Sequence, residues 1–397
     1  MAVACVLLDA CKERPRDPKP RAVGSALATA APMPTATSAG KERVLPASDA
    51  GKTACRILHI SARDPGPVRF EGDTDRLDLY VNRGGDLEHD QMRIGPLDTP
   101  TTLPRVPREA EVKPLFLPCG TTREHVFCMN REGKILRRAR ASLEAPPREI
   151  ASSRPGATIA AADLGGHSVV AFLAQRKTGD GMMTEAWAAF DDMPPVRISE
   201  DGAGATYVDV APRGKGVVFA YIDARSAMTP VHARPAVEKN GQLELGADAV
   251  IFVGGSPDPR VAGVLAVSKE AAFFVLPMAK DIASFGMAII KLDDPPVTDE
   301  PVTWAMYPNG IDPAPIAATH DVSPIHLLRV LPQTNDPGGP RLVELGQIDR
   351  SGGYLSLGAI AEPLHALYVS VAVDRFGGIW THHGDSGNSL LERRKCP

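Results

Sequence analysis

The sequence predicts an all-β fold, a β-propeller of four-stranded blades, on three observations. A strand of small and branched residues ending in Pro-Pro returns along the chain, and so does a turn followed by an apolar strand. Glycine (36) and proline (37) are abundant with no collagen period, a composition that suits many short strands joined by many turns. At 397 residues and 43% apolar content, the chain can bury a large core. A lone four-stranded sheet of this kind exposes two apolar faces; radial stacking buries both and leaves only short edges.

Taken in order, the chain begins with MAVACVLLDA, apolar but short and lacking a basic start. Leu8-Asp9-Ala10-Cys11 resembles the lipidation box of bacterial lipoproteins and makes Cys11 the candidate lipidation site. Asp9 and the truncated apolar run depart from that pattern. Two readings stay open: an exported, periplasmic or outer-membrane-attached lipoprotein, and a cytoplasmic start with an unstructured tail. The rest of the stretch to residue 50 is rich in Ala, Pro and Thr and has no periodicity, so it reads as a tether. The domain plan is therefore a signal-like start and linker over 1–50 and one propeller over 51–397. No run of 18 apolar residues occurs, and no transmembrane helix is expected.

The Pro-Pro landmark lies at 139–150, 186–198 and 287–297, with first prolines at 146, 194 and 295. Those are intervals of 48 and 101 residues, one repeat and then two. In the missing place, 232–245 keeps the strand without the prolines. The turn-and-strand landmark lies at 114–120, 165–175, 214–223, 269–277, 323–332 and 365–374. Length and branched or aromatic enrichment fit strands. Residues 269–287 are the one helical rival, and Pro277 in the middle argues against a helix. Units counted on their third strand start near Arg76, Ile135, Glu185, Pro230, Gly286, Arg341 and Gly377, which makes seven blades. The last has two clear strands before Glu392, and CRILHIS (55–61) is expected to complete it and close the ring. Six blades follow if 68–90 is an insertion; seven is favoured because LDLYVNR (77–83) would otherwise have nothing to pair with.

Residues 198–221, ISEDGAGATYVDVAPRGKGVVFAY, resemble the short repeat of the TolB-like, or WD40-like, propeller class. That repeat has a DG turn, an Ala-rich strand, a Ser-Pro-Asp-Gly-Lys turn and an apolar strand. Here the second turn is Ala211-Pro212-Arg213-Gly214-Lys215-Gly216, with Arg213 in place of the central Asp. The resemblance implies a propeller, often exported and often a protein-binding scaffold. It carries over no catalytic site, because the class shares none.

Of the six cysteines, Cys119 and Cys128 flank GTTREHVF, a span suited to a hairpin staple. Cys55 and Cys396 lie near the two ends that a closed ring brings together. Bridges Cys119–Cys128 and Cys55–Cys396 are expected in an oxidising compartment, against the alternative of four unrelated thiols.

His382-His383 with Asp385 is the densest polar set, and His320-Asp321 sits in a turn-like segment. These five are the candidates for the channel mouth or rim, with turn and surface hydrogen bonding as the alternative. Adjacent strand residues face opposite ways, so His382 and His383 do not easily ligate one metal. Asp191-Asp192 and Asp293-Asp294 each stand just before Pro-Pro. Ring symmetry places the pairs on different blades, so strand termination is the main reading and a rim that takes Ca²⁺ or a basic partner is the other. GDSG (384–387) is similar to the nucleophile loop of chymotrypsin-like proteases but lacks a His and Asp context. No zinc-type CxxC, P-loop, Gly-x-Ser-x-Gly or HExxH occurs, and no cofactor is expected. The formal charge of −4 argues against a general nucleic-acid surface, and 5% aromatics against stacking platforms.

The expected function is a monomeric, non-enzymatic binding or scaffold protein of the bacterial cell envelope, presenting one rim to a protein partner. A propeller hydrolase or lyase with its site at the channel mouth, and a structural surface protein, are the alternatives. An enzyme needs convergent acidic, basic or histidine side chains at the mouth; a binding module needs an apolar or single-sign rim patch.

Overall fold

Runs such as GVVFAYID at 216–223 are buried along their whole length, which a strand achieves only when both its faces are covered. The computed structural model supplies that cover. It describes residues 55–397 apart from 64–68, 73–75, 84–85, 98–116, 156, 180, 226–229, 254–262, 280–284, 293–302, 307–315, 321, 333–340, 365–367 and 385–388. The start of the chain, with Cys11 and the tract to residue 50, lies outside the described residues, as do Asp293, Asp294, Asp321 and Asp385.

Strand β1 (Arg56–Arg63) belongs to the last sheet. Blade one holds β2 (Arg69–Gly72), β3 (Arg76–Arg83) and β4 (Asp86–Arg93). Blade two holds β5 (Cys119–Thr121), β6 (His125–Met129), β7 (Lys134–Ala139) and β8 (Arg148–Ser152). Blade three holds β9 (Ile159–Leu164), β10 (His167–Thr178), β11 (Gly181–Phe190) and β12 (Val196–Arg197). In blade four, β13 (Ala205–Arg213), β14 (Gly216–Asp223) and β15 (Pro230–Lys239) are followed by an outer position shared by β16 (Gln242–Leu245) and β17 (Ala249–Val253). Blade five holds β18 (Val264–Val267), β19 (Ala272–Ala279), β20 (Phe285–Lys291) and β21 (Thr303–Met306). Blade six holds β22 (Ile316–Ala318), β23 (Ile325–Pro332), β24 (Arg341–Ile348) and β25 (Tyr354–Leu364). Blade seven runs β26 (Tyr368–Val373), β27 (Ile379–Gly384) and β28 (Ser389–Lys395), with β1 antiparallel to β28 as its outer strand.

The innermost strands β2, β5, β9, β13, β18, β22 and β26 each meet the next, and β26 returns to β2. The chain is a seven-bladed β-propeller, closed within blade seven by an N-terminal and a C-terminal strand. Each seam between blades holds its own apolar cluster. Val218, Ile222, Phe274 and Leu276 pack between blades four and five. Leu77 and Met92 of blade one meet Trp380 and Leu391 of blade seven. Burying each such side chain contributes about 1.5–3 kcal/mol, so the seams carry most of the stability. Among the described residues the seam between blades one and two is the thinnest in apolar material, built on Tyr80, Val126 and the two cysteines Cys119 and Cys128. A polar bridge reinforces it: Arg140 reaches across to Asp78 and donates to the Tyr80 hydroxyl at 2.9 Å.

Both expected disulfides are present, Cys119–Cys128 across the β5–β6 pair and Cys55–Cys396 between the start of β1 and the end of β28. The helical rival resolves into β19 and β20, with Pro277 inside β19. Three expectations need correction. The landmarks at Arg76 and Gly377 fall on or just before second strands, not third ones, because blade one starts at β2 and the last blade takes β1 as its fourth strand. The last blade, expected to have two clear strands before Glu392, also contains a third strand from its own chain end, β28. Strand β13 runs on to Arg213, into residues expected to form the turn from Ala211, since Pro212 sits on an innermost strand with one unpaired edge, where a missing N–H costs little. The turn shrinks to two residues, with Gly214 at φ 60°.

Candidate functional site

The stretch that organises the repeat reading, 199–223, also makes the best-defined rim loop. It leaves blade three after β12 and enters β13 of blade four. Ser199 Oγ accepts the Ala186 N–H at 3.1 Å and anchors the start of the loop. The Asp201-Gly202 turn, with Gly202 at φ 71°, is fixed from below by Glu185, which accepts the Gly202 N–H at 2.9 Å. Asp223 accepts the Gly204 N–H at 3.3 Å, and Gly204 O accepts the Ala224 N–H at 3.0 Å. A loop held at both ends and in the middle gives up little further entropy when it meets a ligand.

Charged side chains surround the loop. Arg176 donates to both Glu185 oxygens, at 3.1 and 2.9 Å, and also pairs with Asp201. Arg197 meets Asp201 at 2.7 Å, and Arg225 grips Asp223 and reaches Glu200 at 3.4 Å. Burial pushes the Glu185 carboxyl up, but the Arg176 hydrogen bonds, the Gly202 N–H and the nearby guanidinium charges outweigh it and hold it below its ordinary value. The same balance, with Arg225 and Gly204, lowers Asp223. Glu200 and Asp201 stay outermost, with side chains 61% and 69% exposed. In the same blade, Tyr221 stacks on His232 with ring centroids 4.6 Å apart, and Asp248 takes hydrogen bonds from the Tyr221 hydroxyl and the His232 ring. Burial first, then Asp248, raises the Tyr221 phenol.

Nearer the axis, carboxylates join one blade to the next. Asp209 of β13 accepts the Leu265 N–H of β18 at 2.8 Å, and Asp163 of β9 accepts the Arg123 N–H of blade two at 3.0 Å. Arg69 of β2 donates to Cys119 O of β5 at 2.8 Å. Such bonds fix the blades against sliding.

The residues singled out from sequence are not brought together. His320 follows the innermost strand of blade six and is exposed at that end. His382 and His383 sit near the end of β27, which pairs with the beginning of β26 and so lies at the opposite end of the blades. Both are fully buried, facing opposite seams: His382 stacks on Tyr368 and shares a hydrogen bond with Ser389. Asp191 accepts the Ser168 N–H at 2.8 Å and pairs with His167, while Asp192 meets Arg137 and Arg148, each at 2.8 Å. Strand termination thus accounts for that acidic pair. Among the described residues no group of three or more His, Cys, Asp or Glu is placed to hold a metal ion. No helix among them is long and apolar enough to cross a membrane. Sequence reading missed Glu185 and Asp223, although the Asp201-Gly202 turn pointed to the loop they fix.

No protein-family model matches the chain, and no curated protein does. Solved structures with a similar course include the WD40 repeats of RRP9, 11% identical with a TM-score of 0.46, covering 88% of this chain and 99% of that one. The six-bladed fucose-binding lectin of Aleuria aurantia is 12% identical with a TM-score of 0.40, over 70% of this chain and 90% of the lectin. A Trypanosoma rangeli sialidase is 9% identical with a TM-score of 0.39, over 70% of this chain; the match spans 54% of the sialidase.

Proposed function

We propose that the chain is a non-enzymatic binding scaffold of an oxidising, extracytoplasmic compartment, in the bacterial cell envelope with a lipid anchor on Cys11, and that it presents the 199–204 rim to a protein partner. The observation that carries this reading is the loop itself. Its backbone is fixed by two buried carboxylates, and its outward charges, Glu200 and Asp201, stand within a ring of three arginines. Preorganised, alternating charge of this kind favours selective recognition of a complementary protein surface. Two disulfides support the oxidising compartment. Asp209 and Asp78 join neighbouring blades, which gives the rim a rigid base.

The test combines fractionation, intact mass and crosslinked capture of the full-length protein from its native cells, followed by binding measurements with the purified partner. The Glu200→Ala/Asp201→Ala variant leaves the Arg176–Glu185 pair in place. It is expected to weaken the partner's binding about tenfold or more, which is about 1.4 kcal/mol, with little change in unfolding temperature. A soluble, unlipidated protein with no stoichiometric partner, or equal binding by the variant, sinks the proposal.

A further inference from the structure

The histidines divide by what their rings meet. His89, His167 and His232 each meet a carboxylate, from Asp78, Asp191 and Asp248. His125 and His382 meet the hydroxyls of Ser168 and Ser389. His320 is exposed. Of the histidines whose side chains are described, His326 and His383 are left; they are buried at 7% and 0% exposure, and both face the seam between blades six and seven. Strand alternation puts His326 on the side of Leu328 and Val330, and His383 on the side of Thr381 and Ile379; Leu328, Val330 and Ile379 share one apolar cluster.

Neither ring is provided for as a cation. His326 Nε2 meets the Gln347 amide at 3.2 Å, while its Nδ1, and both nitrogens of His383, meet no hydrogen-bond partner among the described residues. Among the described residues, the charged groups on this seam are Glu392 and Arg394 of β28, and Arg341 of β24 at the β27-end side. Glu392 is already engaged by Arg394 at 2.6 Å, and Arg394 also donates to Ile360 O of blade six at 2.8 Å. A proton on His383 would therefore place a second buried cation beside Arg394, and one on His326 would have no carboxylate beside it among the described residues. Buried charge without a counterpart is strongly unfavourable, and opening the seam to water relieves it.

We propose that this seam is an acid-operated latch: proton uptake by His326 and His383 parts blade seven from blade six, while Cys55–Cys396 keeps β1 and β28 joined inside blade seven. The proposal is independent of the rim reading. In the closed ring burial pulls both imidazoles down to about 4, with the Arg394 charge adding to the effect at His383. Once wet, each returns toward about 6.5. A base lowered in the closed state leaves that state fully stable above about 6.5 and weakens it as pH falls toward 4, after which the effect levels off. With two protons taken up, the opening constant rises by up to about 100-fold per pH unit inside that window. The Asp78 carboxyl of the seam between blades one and two titrates lower: burial pushes it up, but His89, Gln91 and Arg140 hold it at about 2. Its contribution, present above its ordinary value, is lost only below the histidine window.

The experiment is hydrogen–deuterium exchange by mass spectrometry on the full, oxidised chain. The protein is equilibrated between pH 7 and 4.5 and labelled in a brief pulse at one fixed pH. Peptides from β23–β25 and β26–β28 should lose protection in acid before those of blades three and four, with a pH slope approaching two protons per opening. His326→Gln with His383→Leu should move the midpoint down by about one pH unit. If that variant does not fold, the wild-type slope alone decides. A slope near zero, loss of protection in all blades at one pH, or an unchanged midpoint in a folded variant overturns the latch.

Discussion

Replacing Cys55 and Cys396 together with serine is expected to lower stability by about 5 kcal/mol, the larger of the two disulfide effects in this protein. The bridge joins residues 341 apart in sequence, so in the unfolded chain it closes nearly the whole domain into one loop. Loop-closure entropy grows with the logarithm of loop length, which puts Cys119–Cys128, with a separation of nine, nearer 3 kcal/mol. Location adds to the difference. Strand β1 is an outer strand held by β28 alone, and the bridge ties its first turn of chain to the end of its partner. Without it, β1 should exchange its amides first and the ring should lose its closure there. Urea unfolding of the two double-serine variants against the wild type measures the order directly. Equal stability of the two variants would mean that ring closure contributes nothing beyond the strand pairing already present.

The same bridge marks how far the sequence could be read. Ring closure brings the two chain ends together, and that global constraint made Cys55–Cys396 an expected pair, against four unrelated thiols; the bridge is present. Blade number was legible for a related reason, since LDLYVNR needed partners and finds them in β2 and β4. The candidate site was less legible. His382-His383 read as candidates for the channel mouth or rim, with turn and surface hydrogen bonding as the alternative, yet β27 is covered on both faces and carries them inside. Glu185 looked like an ordinary residue of a third strand. Its role depends on Gly202, 17 residues away, and on an Arg176 that arrives from the neighbouring strand. No spacing rule relates those three positions. The recurrence of one turn is not legible either, because it occupies a different place in each blade: Asn130-Arg-Glu-Gly133, Asp349-Arg-Ser-Gly352 and Asp374-Arg-Phe-Gly377 join strands two to three, three to four and one to two. In each, the first side chain accepts N–H groups two and four residues on.

That shared turn isolates the second large effect, at Asp374. Replacing Asp374 with asparagine is expected to cost about 3 kcal/mol or more, although Asn130 shows that asparagine serves the turn. The difference lies in the other oxygen. Asp374 Oδ1 accepts the Phe376 and Gly378 N–H groups at 2.9 Å, as the turn requires. Its Oδ2 accepts Trp380 Nε1 at 2.9 Å and Arg393 at 2.7–2.8 Å, with both Asp374 and Arg393 side chains at 0% exposure. Arg393 in turn donates to Gly95 O of blade one at 2.8 Å, so one carboxylate supports the seam where the ring closes. Gly378 leaves room for this, since an added Cβ would lie 2.6 Å from Asp374 Oδ2 and 2.7 Å from Arg393 Nε. Asparagine keeps the turn but leaves a buried guanidinium without its counter-charge, and breaking a buried pair from one side typically costs about 3–5 kcal/mol. Asp349→Asn is the control: the turn is the same, its bonds run to Ser351 and Gly353, and the site is exposed, so the change should stay within about 0.5 kcal/mol. Chemical denaturation of the two variants separates the charge from the turn. If Asp374→Asn proves as mild as Asp349→Asn, Arg393 is neutralised by another route and the closing seam rests on Trp380, Leu77 and Met92 packing alone.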